Sequence, residues 1–166
     1  MKVSIITTSY NSTLTIEDTI KSVLDQDYPD IEYIIIDGGS TDGTMDIVNK
    51  YKDRIAKIVS EKDEGMYDAM NKGIKLATGD VIGILNSDDV YTSNDVIRTI
   101  VDKLKADGTE SAWGDLVYVD RHSSGTSLDE ARQKFQYDLY YIKNRSFTLD
   151  VFIFLKTALA LFMRNI

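Results

Sequence analysis

The sequence predicts an α/β fold: a mostly parallel central sheet with helices on both faces. Three observations predict it. Short runs rich in Ile and Val recur through the first two thirds of the chain. Single helical periods separate them. The runs themselves are apolar almost without interruption, as in strands covered on both sides.

Val3–Thr8 is the first strand expected, and Ile16, Ile20, Val23 and Leu24 then recur at helical spacing. Glu32–Asp37, centred on Ile34-Ile35-Ile36, is the second strand, with Asp42 as N-terminal cap to a shorter helix carrying Met45, Val48 and Tyr51. Ile55–Ser60 is the third strand. Met66, Met70, Gly73, Ile74 and Ala77 line a third helix, where Asn71 and Gly73 read as allowing close helix–sheet packing and Gly79 as the stop. Asp80–Asn86 is the fourth strand. Val96, Ile97, Ile100, Val101 and Leu104 form the stripe of a helix over Ser93–Lys105, with Ser93 and Asn94 as caps and Gly108 beyond its end. Ala112–Asp120 reads as a fifth strand.

After Asp120 the rhythm fails, dividing the chain into a 1–120 α/β unit and a 121–166 segment. Arg121–Ser127 is polar and holds the single histidine, His122, read as a solvated loop residue. Leu128–Lys143 is mixed, with helical character, and Phe147–Met163 is strongly apolar. A membrane-spanning helix needs about 20 apolar residues, and this run is shorter and contains Asp150 and Lys156. The readings it leaves open are a helix completing the core, packing against a second copy of the chain, or peripheral attachment to a membrane. The change of character after Asp120, with the apolar tail, favours truncation.

The length, 166 residues, suits one domain. The absence of cysteine excludes disulfides and thiolate chemistry, and one histidine excludes a multi-histidine metal cage. A formal charge of −8 argues against nucleic-acid binding. Met1-Lys2 runs straight into the first strand with no signal-peptide pattern, so a cytoplasmic location is expected.

Ligands of an open parallel sheet bind beyond the carboxyl ends of its strands. There the sequence sets Ser9-Tyr10-Asn11-Ser12 after the first strand and Asp37-Gly38-Gly39 after the second. Glu61-Lys62-Asp63-Glu64-Gly65 follows the third, and Asn86-Ser87-Asp88-Asp89 the fourth. Three acidic edges and an aromatic one share a rim. No Gly-rich phosphate cradle of either familiar spacing occurs. A carboxylate rim repels bare diphosphate, but Mg²⁺ or Mn²⁺ takes carboxylate and phosphate oxygens together. A nucleoside diphosphate carried by a divalent ion is the inferred ligand. Tyr10 would stack on its base and Asp37 would accept a base N–H.

The stretches Val3–Asn11, Ser22–Tyr28 and Glu32–Thr44, continued by Glu61–Gly73, Gly79-Asp80 and Leu85–Asp89, resemble the family 2 inverting glycosyltransferases over about residues 1–120. The resemblance implies a GT-A, Rossmann-like nucleotide-diphospho-sugar transferase fold using Mn²⁺ or Mg²⁺. It makes residues 1–120 the donor-binding part, with a UDP-sugar as the expected donor and a glycan or glycolipid as acceptor. Thr8, Tyr10 and Asn11 would line the base and ribose pocket, and Asp37 would meet the base. Asp63 would close over the nucleoside, Asp88 would touch ribose or sugar, and Asp89 would ligate the metal. The implied setting is surface polysaccharide or lipopolysaccharide assembly, in the cytoplasm or at the inner membrane face.

Inverting transfer also needs a carboxylate base for the acceptor hydroxyl. The resemblance implies an acidic pair, usually Glu-Asp, in the second half of the domain; that half of this sequence has no Glu-Asp, and Asp115, Asp129, Glu130 and Asp138 are the remaining candidates. The alternative is a catalytically incomplete remnant that binds donor and metal without transfer. A phosphoacceptor signalling domain would need its acidic pair after the first strand, where this chain has Ser9-Tyr10-Asn11.

Overall fold

The computed structural model describes residues 1–108 and the strand backbones Ser111–Gly114 and Asp138–Ile142. Strand β1 (Val3–Ser9) leads through α1 (Ile16–Leu24) to β2 (Ile31–Asp37). Helix α2 (Thr44–Lys50) and a 3₁₀ turn (Lys52–Arg54) precede β3 (Lys57–Ser60). Then come α3 (Met66–Leu76), β4 (Val81–Ile84), α4 (Val96–Asp107), β5 (Ser111–Gly114) and β6 (Asp138–Ile142).

The sheet order is β3-β2-β1-β4-β6-β5, and β3, β2, β1 and β4 are parallel. Alternation along β1 and β2 assigns the two faces. Val3, Ile5, Tyr33 and Ile35 pack with α1, α2 and α4, whereas Ile6, Ile34 and Ile36 pack with α3. The α/β expectation holds, with helices on both faces.

Several local expectations are corrected. Residues 138–142, read as part of a mixed, helix-compatible stretch, form a strand antiparallel to both β4 and β5. Leu139-Tyr140-Tyr141-Ile142 suits a pleated ladder better than its flanks suggest. The inward face of α3 carries Ala69 and Gly73 rather than the larger methionines, because the helix lies close on β1: a Cβ on Gly73 would collide with Ile6 Cγ2. Gly79 does not stop α3, which ends at Leu76. Its hydrogen side faces the start of β1, where a Cβ would lie 2.7 Å from Ser4 N. Neither Ser93 nor Asn94 caps α4. The helix starts at Val96, and its Ile97 N–H is received at 3.0 Å by Oε1 of Gln26, from the turn after α1. Gly108 does close α4, in the left-handed conformation.

At the amino edge of the sheet, Ser4 on β1 faces Glu32 on β2. The buried Glu32 carboxylate accepts Ser4 Oγ at 2.6 Å, Thr78 N at 2.7 Å and Thr78 Oγ1 at 2.8 Å, with Lys2 Nζ at 3.3 Å. Burial opposes its charge, but these donors together hold its pKa at about 2. This network ties the end of α3 to the sheet at the edge opposite the candidate site. Among the described residues no helix is long and apolar enough to cross a membrane. The apolar run 147–163 and the boundary at residue 120 lie outside them.

Candidate nucleotide-sugar cleft

After β1 the chain builds outward through β2 to β3 and then returns to lay β4 on the other side of β1. The loops after β1 and β4 therefore diverge, and a crevice opens between them at the carboxyl edge. The cleft has a volume of about 1070 Å³. Thr8, Tyr10 and Asn11 line it from the β1 side, and Gly38 and Gly39 from β2. Lys62 and Asp63 contribute from the β3 loop, and Asn86, Ser87 and Asp88 from the β4 loop.

The β1 loop is held open by side chains reaching it from the β2 loop. Asn11 adopts a left-handed φ of 49°, donates its N–H to Ser40 Oγ at 2.8 Å and accepts Thr41 N–H on Oδ1 at 3.0 Å. Asp42 accepts Thr13 N–H and the N–H of Thr44 at the start of α2, both at 3.0 Å; the N-cap position itself, expected of Asp42, is taken by the left-handed Gly43. Hydrogen bonds from Thr13 and Thr44 hold the Asp42 carboxyl well below the usual range. Tyr10 is left 65% exposed, its ring standing on the cleft wall rather than in the core.

The predicted acids divide into two pairs of unlike character. Asp63 and Asp88 line the cleft; Asp37 and Asp89 do not. Asp37 is 0% exposed, and its Oδ2 accepts Gly39 N at 3.1 Å, Ser40 N at 2.9 Å and Ser60 Oγ at 2.7 Å. Its Oδ1 accepts Ser40 Oγ, with Ser9 Oγ at 3.5 Å. A carboxylate so fully engaged shapes the Gly38–Ser40 loop. Asp63, by contrast, spends Oδ1 on Gly65 N at 2.9 Å, while Oδ2 is turned to Gly38.

At the β4 edge, Asp89 N–H donates to Asn86 O at 3.1 Å, closing a turn with the exposed Asp88 within it. Asn86 Nδ2 donates to Asp89 Oδ2 at 3.1 Å, and Asn86 Oδ1 is buried without a donor. Ser87 Oγ shares a 2.7 Å hydrogen bond with Ser12 Oγ across the cleft floor. These donors are all hard oxygens, the kind Mg²⁺ and Mn²⁺ take. Among the described residues no group of three or more acidic or histidine side chains could hold a metal by itself. The set fits a cation that is held by one or two carboxylates and completed by ligand phosphates.

Lys62, Ser12, Asn86 and Ser87 were not singled out from the sequence. Lys62 is the one cation among the described lining residues; as a lone base in an acidic run it offered a signal. Asp115, Asp129 and Glu130 lie outside the described residues, as does His122. Asp138 opens β6 opposite Gly114, and the antiparallel register brings its backbone to the carboxyl end of β4.

The sequence matches the Glycosyl transferase family 2 description over residues 4–166. It is 43% identical over 99 residues to the UDP-Glc:alpha-D-GlcNAc-diphosphoundecaprenol beta-1,3-glucosyltransferase WfaP of Escherichia coli, covering 59% of this chain and 39% of that protein. The chain thus spans under half the length of the curated relatives it matches. Among solved structures, it is similar to the mannosyltransferase PcManGT of Pyrobaculum calidifontis in complex with GDP-Man and Mn²⁺. The TM-score is 0.62 and the identity 27%, over 66% of this chain and 34% of that one. S. aureus TarS 1-349 gives a TM-score of 0.61 and 28% identity, over 67% and 34%. With its parallel sheet, its cleft at the switch point and a match over nearly its whole length, the chain has the GT-A fold and belongs to glycosyl transferase family 2.

Proposed function

We propose that this chain binds a nucleotide-diphospho-sugar, a UDP-sugar, together with Mn²⁺ or Mg²⁺. It serves inverting transfer of the sugar to a glycan or glycolipid hydroxyl in surface polysaccharide or lipopolysaccharide assembly, at the cytoplasmic side. The observation that carries this reading is the convergence of Tyr10, Asp63 and Asp88 on one cleft at the sheet's switch point. WfaP, named for a UDP-Glc donor and a lipid-diphosphate acceptor, supports the UDP-sugar and the glycolipid. PcManGT, solved with GDP-Man and Mn²⁺, supports the metal.

Tyr10 offers its ring to the base, with Thr8 and Asn11 forming the wall beside it. Asp63 Oδ2 accepts the imide N–H of uracil, the role first read into Asp37, whose hydrogen bonds are spent on Gly39, Ser40 and Ser60. Asp37 supports nucleotide binding by holding Gly38 and Gly39 flat against that pocket. Asp88 hydrogen-bonds a ribose or sugar hydroxyl, and Asp89, next to it on the turn though off the cleft lining, is the residue that would ligate the cation. When bound, the cation would offset the charge of the leaving diphosphate. The acceptor oxygen bonds to the anomeric carbon as the bond to phosphate breaks on the opposite face, and its proton passes to a carboxylate. Asp115, Asp129, Glu130 and Asp138 are the candidates for that role, and the strand register that brings the Asp138 backbone to the carboxyl end of β4 supports its inclusion.

Thermal-shift titration with UDP, GDP and CDP, each with and without Mn²⁺, tests the reading. UDP should raise Tm in the presence of metal and the other two should not. Equal shifts without metal would overturn the carboxylate-bridged site. Metal-dependent binding with neither hydrolysis nor transfer of the sugar would favour the donor-binding remnant instead.

A further inference from the structure

The segment from Ser87 to Asp95, which joins the acidic turn to α4, contains no helix or strand. One face of α1 holds it. Thr19 and Ser22 stand at i and i+3 along one side of the helix, and Gln26 follows in the turn just beyond its last residue, Leu24. The fully buried Thr19 sends its hydroxyl between two carbonyls, Ser87 O at 3.0 Å and Asp89 O at 2.8 Å. Ser22 Oγ accepts Tyr91 N–H at 3.2 Å while donating to Thr19 O at 2.8 Å. Gln26 Nε2 donates to Ser93 O at 2.6 Å, and its Oε1 accepts Ile97 N–H at 3.0 Å.

The structure assigns to this face of α1, and to Thr19 above all, the positioning of the acidic turn that presents Asp88 and Asp89. One hydroxyl shared between the carbonyls of residues 87 and 89 orients the peptide plane that precedes Asp88 and the one that follows Asp89, and so bears on the directions in which the two carboxylates leave the backbone. The Ser12–Ser87 hydrogen bond ties the same turn to the β1 loop, so the base end and the acidic end of the cleft are held at a set distance. Thr19 touches no ligand; it is a positioning residue acting through main chain, and this role rests on the nucleotide–metal reading given above.

Calorimetric titration of the full chain with UDP, once with Mn²⁺ and once with EDTA, tests it in Thr19→Val, which removes the hydroxyl, and in Thr19→Ser, which keeps it. In the parent, Mn²⁺ should strengthen UDP binding. In Thr19→Val that metal-dependent gain should fall by about tenfold, the scale of one lost buried hydrogen bond, while affinity in EDTA falls by clearly less. Thr19→Ser should restore the gain. Thr19→Ala, which crowds nothing, gives the same readout should the valine variant not fold. An undiminished gain in the hydroxyl-free variants overturns the inference and leaves the site reading standing. An equal loss with Mn²⁺ and with EDTA also overturns it, since the hydroxyl would then support the fold as a whole. A parent that binds UDP with no metal-dependent gain overturns both.

Discussion

The Cβ that Gly38 lacks would lie 2.7 Å from Oδ2 of Asp63. The β2 loop and the β3 loop thus meet through an absence: the missing side chain leaves the room in which a cleft-lining carboxylate sits. The backbone of Gly38 is not left-handed, so the constraint there is space rather than conformation.

Gly38→Ala should therefore fold, but with the Asp63 carboxylate pushed off its position. UDP affinity should fall by about tenfold, as for one misplaced charge-assisted hydrogen bond. Asp63→Ala should lose a similar amount, and the double variant no more than either single one. A calorimetric double-mutant cycle checks this; fully additive losses would separate the two residues.

Asp37→Asn and Asp63→Asn should behave oppositely. At Asp37 an amide turns one acceptor into a donor facing Ser and Gly donors already in place, costing about 1–3 kcal/mol of stability and loosening the Gly38–Ser40 loop. At Asp63 stability should stay within about 0.5 kcal/mol while UDP binding weakens. Urea unfolding and UDP titration of the two variants, side by side, give the comparison.

Glu32 sets a pH dependence of stability remote from the cleft. Its pKa is lowered from 4.5 to about 2 on folding, so its contribution is full above the unfolded value and fades as pH falls from about 4.5 towards 2. The shift corresponds to at most about 3 kcal/mol. Glu32→Gln should flatten the acid limb of the stability curve by up to about 2 kcal/mol between pH 7 and 3, measured by urea unfolding, the rest being lost only below pH 3. A parallel, merely displaced curve would count against the assignment.

Gly73→Ala should destabilise the protein even though alanine favours helix by about 1 kcal/mol. The new methyl meets Ile6 Cγ2 on β1, and overpacking of this kind costs about 1–3 kcal/mol. Ile6→Ala combined with Gly73→Ala should be less destabilised than the sum of the two, by thermal denaturation. A stabilised single variant would show that α3 can lift from the sheet freely.

Much of this was legible along the chain. The runs around Ile5 and Ile35 are apolar enough to require cover on both faces, and helical periods between them require parallel crossovers. The rim acids were found because the residue after a parallel strand is at the carboxyl edge whatever the neighbours do. What misled was chemistry that depends on company. Asp37 reads as a free acceptor until Ser9, Ser40 and Ser60 are brought around it from three segments. Gly79 reads as a helix stop until Ser4 is placed against it. Residues 138–142 read as helix-compatible because strand pairing is a long-range fact, settled only by β4 and β5 alongside.

The sequence alone determined the α/β layering, the edge on which a ligand would sit and the acidic, cysteine-free chemistry available there, since each follows from periodicity or residue type. Only the tertiary structure decided which acids face the cleft and which are spent inside, and that α1 carries the acidic turn. Hydrogen bonds saturate: a carboxylate already surrounded by donors has nothing left for a ligand, and those donors arrive from segments far apart in the chain.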